Sequence, residues 1–112
     1  MFNDKLKLEF VAEMIEEIES YKQKFSNSDL MINDRMCFNA ILMNLLQIGE
    51  ALNKLSPETK AKYRNELPVK DIYDTRNFIA HDYGGVRPDI IKDILDIHIA
   101  LLKKNITDIF KK

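Results

Sequence analysis

Most of the commoner kinds of active site find little material in this 112-residue chain, which has one cysteine, two histidines, three glycines, three prolines and no tryptophan. The single cysteine, Cys37, excludes an internal disulfide and fits a reducing compartment. Two histidines and one cysteine offer no zinc-ligand spacing, and no Gly-rich phosphate loop is present. So few glycines and prolines also argue against a loop-dominated or disordered chain. Neither charge sign dominates: 17 basic residues face 18 acidic ones, a net charge of −1. That balance argues against a dedicated duplex-DNA reader but leaves room for local contact with RNA. The longest uncharged run, Met36 to Gly49, is broken by Asn39, Asn44 and Gln47 and falls short of the ~20 residues that span a bilayer. Residues 1–5 have neither the basic nor the apolar region of a signal peptide. A soluble, cytoplasmic protein with no membrane partner is expected.

What the chain does have is apolar residues, 46% of the total, repeating with helical period. Residues 3–25 read as a first helix, with Asn3 as N-cap and a stripe of Leu6, Phe10, Met14, Ile18, Tyr21 and Phe25. Glu9, Glu13, Glu16 and Glu17 lie mostly on the other side, as a solvated face. Ser26–Asp29 reads as a loop. A second helix runs from Leu30 or Asp34 to Leu55 and is apolar on two faces: Cys37, Ile41, Leu45, Ile48 and Leu52 make one, Leu42, Met43 and Leu46 the other. Burying both faces calls for the centre of a bundle or a subunit interface. Gln47 and Glu50 read as a polar shoulder, and Cys37 as a small core residue.

Ser56-Pro57 opens a short helix, with Ser56 as cap and proline in the first turn. Lys54, Lys60, Lys62 and Arg64 make this the most basic segment, best read as a solvated face. Val69 to Tyr83 is predicted as the next helix, stopped by Gly84-Gly85 in left-handed conformation. Pro88 starts a last helix through Phe110, with Ile91, Ile94, Leu95, Ile97, Leu101 and Leu102 on a broad apolar surface and His98 structural. The fold class is all-α: one domain over residues 1–112, an antiparallel bundle of four main helices plus one short helix.

One stretch departs from amphipathic helix. Asp74-Thr75-Arg76-Asn77-Phe78-Ile79-Ala80-His81-Asp82-Tyr83 gathers an arginine, an amide, a histidine and a tyrosine within eight residues. At about 100° per residue, Arg76 and Tyr83 fall within about 40° of the Ile72–Ile79 apolar side. Asn77 and His81 share a polar face with Asp74, and about 140° separates Arg76 from His81. A straight helix therefore does not complete a site by itself. Histidine with arginine suits cleavage of an RNA phosphodiester: histidine moves protons near neutral pH and arginine binds the phosphorane charge. The reaction calls for no metal or cofactor. It does want an acid and a base, and a two-fold homodimer supplies two copies of the histidine.

Arg76-Asn77-Phe78-Ile79-Ala80-His81-Asp82-Tyr83 matches R-x4-H-x-Y, and with Leu46-Gln47-Ile48-Gly49-Glu50-Ala51 it resembles the HEPN superfamily, most closely its HepT-type toxins. The resemblance implies a helical dimer whose paired motifs form a composite endoribonuclease cleft, with Arg76 and His81 catalytic and Asn77 supporting. It also implies a toxin–antitoxin pair in which a minimal nucleotidyltransferase antitoxin transfers AMP to Tyr83. AMP on Tyr83 would add bulk and negative charge beside a phosphate-binding cleft. The alternative is a non-catalytic subunit that presents substrate or nucleotide to a nucleotidyltransferase. A buried, unreachable Tyr83 would support a purely structural dimer with no ligand.

Overall fold

A computed structural model describes residues 2–111. Its elements are α1 (Phe2–Lys22), α2 (Ser28–Asn33), α3 (Arg35–Asn53), α4 (Pro57–Lys62), α5 (Val69–His81), a 3₁₀ turn (Tyr83–Gly85), α6 (Pro88–Asp93), a π-helical stretch (Ile94–Ile99) and α7 (Ala100–Lys111). The backbone stays right-handed helical from Asp93 through Ala100, so α6, the π stretch and α7 form one rod. Among the described residues the protein is all-helical, with four long rods as expected and two short helices where one was predicted.

The extra short helix comes from polar punctuation in the expected loop. Asn27 Oδ1 accepts from Leu30 N at 2.8 Å and starts α2. Asp34 then leaves the helical region (ψ 117°), and its carboxylate accepts from Cys37 N at 2.8 Å to start α3. Helix α1 already runs at Phe2, which makes Asn3 a first-turn residue and not the cap, and it ends at Lys22 instead of 25. Ser56 behaves as predicted: its Oγ accepts from Thr59 N, with Pro57 in the first turn.

Helix α1 packs along α3, which packs along α5, and α7 returns against α1. Paired contacts set their directions. Asp4 meets Ser56 while Asn44 Nδ2 donates to the Met14 carbonyl, so α1 and α3 are antiparallel. Gly49 abuts Arg76 while Tyr83 reaches Asn39, so α3 and α5 are antiparallel too. The face of α1 that enters the core is Leu8, Val11, Ile15 and Ile18. The predicted stripe is therefore only partly inward: Met14 and Ile18 are buried, Phe10 is half-buried and Leu6 is exposed. Two adjacent apolar stripes exist on α1, and packing on α3 selects the second. Glu9, Glu13, Glu16 and Glu17 are solvated as read.

Asp4 lies in line with the buried stripe and is 5% exposed. Its carboxylate accepts from Ser56 Oγ and Thr59 Oγ1, each at 2.6 Å, and from Ser56 N at 3.0 Å. The Ser56 hydroxyl above all, then that of Thr59, holds the carboxyl down at about 2 despite burial. Asp4 thus clamps the start of α1 to the α3–α4 corner. No helix among the described residues is long and apolar enough to cross a membrane.

Candidate active site

The motif arginine is built into the α3–α5 seam. Ile79 of α5 is fully buried, which orients the helix and brings Arg76, three residues earlier, against α3. The two helices approach closely because position 49 is glycine: a Cβ there would lie 2.6 Å from Arg76 Cβ and 3.0 Å from its Cγ. Arg76 is half-buried and gripped on several sides. Its Nε lies 2.8 Å from Glu50 Oε1, with side chains 30% and 36% exposed. Nη1 donates to Asn77 Oδ1 at 3.0 Å, and the guanidinium carbon stands 5.6 Å from the Tyr73 ring centroid. The Nε atom is buried, yet its N–H makes no directed hydrogen bond. Glu50 lies within ion-pair distance but off the N–H axis, so this is chiefly a charge contact.

His81 ends α5 and is exposed, and no hydrogen bond among the described residues joins it to Arg76. Of the four candidates, the fold joins Arg76 and Asn77 by a hydrogen bond and gives His81 none with either among the described residues. Arg76 and Asn77, expected on different faces, meet because the guanidinium reaches round to its neighbour.

Tyr83 falls outside α5. The helix stops at His81, and Tyr83 opens the 3₁₀ turn, so its projection onto the Ile72–Ile79 side does not apply. The side chain is 38% exposed, and its hydroxyl donates to the Asn39 carbonyl at 3.2 Å. A buried Tyr83, which would have supported a purely structural dimer, is therefore not found. Neither Gly84 nor Gly85 takes the left-handed conformation predicted for them. A Cβ on Gly85 would lie 2.7 Å from both Asp82 carboxylate oxygens, but these end an exposed side chain that can turn away, so space does not demand glycine there. Gly84 has nothing within 4 Å.

Glu50 is the site residue that sequence reading passed over as a polar shoulder. A signal was present in the arginine, which lies on the apolar side of α5 with no acidic residue three or four positions away, whereas Glu50 had a local alternative in Lys54 four residues on. Cys37 is buried, and that burial chiefly pushes its thiol up, as suits a core residue and not a nucleophile. His98, read as structural, is exposed and lines a cleft of about 430 Å³ between α5 and the π stretch with α7. Among the described residues no group of three or more His, Cys, Asp or Glu side chains is placed to hold a metal ion. A second, open groove of about 510 Å³ lies between α1 and α3, lined by Leu6, Phe10, Met43, Leu46, Glu50 and Lys54. Leu6 and Met43 are exposed there, and Glu50 joins the groove to Arg76.

Comparison with known proteins adds a separate line of information. Residues 11–109 match the family described as "Ribonuclease HepT-like". A Methanocaldococcus jannaschii protein named "Gamma-glutamylcyclotransferase and putative RNase" is 28% identical over 96% of this chain and 48% of its own length. A "Putative RNase" of Caldanaerobacter subterraneus subsp. tengcongensis is 31% identical over 72% of this chain and 71% of its own. The chain thus spans about half of the first relative and about seven-tenths of the second. No solved structure matches it significantly.

Proposed function

The chain belongs to the HepT-like ribonuclease family, and from that premise we propose that it is a metal-independent endoribonuclease toxin working as a two-fold homodimer. In this reading Arg76 and His81 of both copies line one composite cleft, with Asn77 supporting Arg76. One His81 takes the proton from a ribose 2′-OH as that oxygen attacks the adjacent phosphorus. The P–O2′ bond forms, the P–O5′ bond breaks, and the other His81 protonates the departing 5′-oxygen. The products are a 2′,3′-cyclic phosphate and a 5′-hydroxyl end. Arg76 stabilises the charge gathered on the phosphorane.

The observation that carries this reading is the split geometry of the motif. Arg76 is held in the α3–α5 seam while His81 stands exposed at the end of the same helix, with no hydrogen bond to it among the described residues. Such a half-site is what a second copy would complete, and the exposed apolar side chains Leu6 and Met43 beside Glu50 offer it a surface. Tyr83, exposed and two residues beyond His81, is the position on which a minimal nucleotidyltransferase antitoxin would place AMP.

The test is incubation of purified protein with RNA in excess chelator, comparing wild type with Arg76→Ala and His81→Ala. Expected are 2′,3′-cyclic phosphate ends from wild type and a loss of roughly 10²-fold or more from either variant. Cleavage surviving both substitutions would overturn the mechanism. Tight binding of a nucleotidyltransferase without any cleavage would favour a non-catalytic binding subunit.

A further inference from the structure

The Glu50 carboxylate is the one charged group of α3 in contact with the motif arginine, and the surrounding geometry looks built for that contact. Gly49, its neighbour in sequence, has no side chain, and a Cβ there would overlap Arg76 Cβ. The missing atom brings the α5 backbone close enough for Glu50 Oε1 to stand 2.8 Å from Nε. On the other side of the guanidinium, Asn77 Oδ1 takes a hydrogen from Nη1, and the Tyr73 ring lies near the central carbon. Two of the three nitrogens thus face protein oxygens. Among the described residues, Nη2 makes no hydrogen bond and is the nitrogen left to meet a phosphate oxygen.

An arginine side chain has several rotatable bonds, and an exposed one samples many directions. A phosphate-binding arginine gains from having that freedom removed beforehand, because a misplaced donor gives little to the transition state. The Glu50 contact is an ion pair across two helices with the Nε–H aimed off the oxygen, so it fixes position through charge without consuming the donors of Nη2. Glu50 also lines the groove that Lys7 and Lys54 line.

We propose that Glu50 is the positioning residue of the ribonuclease site, fixing the Arg76 guanidinium from α3 so that its Nη2 end is presented to the scissile phosphate. The role rests on the ribonuclease reading given above, but the positioning itself is measurable without RNA. It ascribes to Glu50 no contact with substrate.

The experiment uses full-length protein with the substitutions Glu50→Gln and Glu50→Ala, and two readouts. The first is the Arg76 Nε–Hε resonance in a proton–nitrogen NMR spectrum, assigned by its absence in Arg76→Lys. In wild type it should be a resolved signal protected from solvent exchange, and in both Glu50 variants it should collapse into the envelope of mobile arginines. The second is steady-state cleavage of an RNA oligonucleotide. There kcat should fall about tenfold or more while KM changes by less than about threefold, with Glu50→Asp between wild type and the other two. A protected Arg76 signal persisting in Glu50→Ala would overturn the proposal, as would loss of the signal with unchanged kcat. If wild type cleaves no RNA, the function assigned above fails, and the NMR comparison still decides whether Glu50 positions Arg76. Because Gln is close to Glu in size and the position is over a third exposed, Glu50→Gln should fold, and the backbone amide spectrum verifies that it does.

Discussion

Replacing Gly49 by alanine tests the seam that holds the site. The added Cβ would stand 2.6 Å from Arg76 Cβ, 3.0 Å from its Cγ and 3.4 Å from the Ile72 carbonyl oxygen. Ordinary carbon–carbon contact is about 3.5–4.0 Å, so α5 must retreat from α3 by about 1 Å or Arg76 must leave its place. Overpacking of this kind costs about 1–3 kcal/mol, and exchanging glycine for alanine inside a helix returns up to about 1 kcal/mol. The net loss of stability should be small, about 0–2 kcal/mol. The effect on cleavage should be much larger, since a catalytic group displaced by about 1 Å can lose about 10²-fold in rate. Urea unfolding and RNA cleavage are measured on the same preparation. Gly84→Ala is the control: a Cβ there meets nothing within 4 Å, so stability should hold or rise by up to about 1 kcal/mol and cleavage should persist. Wild-type cleavage by Gly49→Ala with an unchanged unfolding midpoint would refute the argument that close helix approach sets Arg76.

Asp4 supplies a pH signature. Its folded value of about 2 lies below the ordinary 3.8, so the stabilisation is complete above pH 4 and is lost as pH falls from about 4 to 2. The difference of 3.8 − 2 corresponds to about 2 kcal/mol, and urea titrations of wild type should lose that amount across this window while Asp4→Asn varies less. Tyr83→Phe should cost at most about 1 kcal/mol, because it removes one hydrogen bond from an exposed side chain. It should retain RNA cleavage while losing any incorporation of labelled AMP by the nucleotidyltransferase, and incorporation that persists would place the acceptor elsewhere.

The features legible in the sequence were those fixed by neighbours a few residues apart. Ser56-Pro57 announced a helix start, and the extent of α5 to within two residues followed from periodicity and the glycine pair. Of the two apolar faces of α3, that of Ile41, Leu45, Ile48 and Leu52 enters the core as read, whereas the second buries Leu42 and leaves Met43 exposed. The features missed depend on contacts across the bundle. Asp4 meets Ser56 and Thr59 more than fifty residues away, although its place four residues before Leu8 on the buried stripe was a sign. The phase of α1 was misjudged because Leu6 and Phe10 are as apolar as Leu8 and Val11, and only the shape of α3 decides between them. The left-handed ending expected of Gly84 and Gly85 is absent, because a 3₁₀ turn follows α5 in its place. The π stretch at Ile94–Ile99 has no counterpart in the apolar pattern that ran through it.

The claim on which the rest depends is that each chain carries half of the site, and subunit mixing tests it most directly. Wild-type protein is allowed to exchange with a ninefold excess of His81→Ala, and RNA cleavage is measured per wild-type chain. Random pairing leaves about one wild-type chain in ten with a wild-type partner, so a composite site predicts a fall to about a tenth. Cleavage per wild-type chain that stays constant at every mixing ratio, with exchange verified, would contradict the paired site.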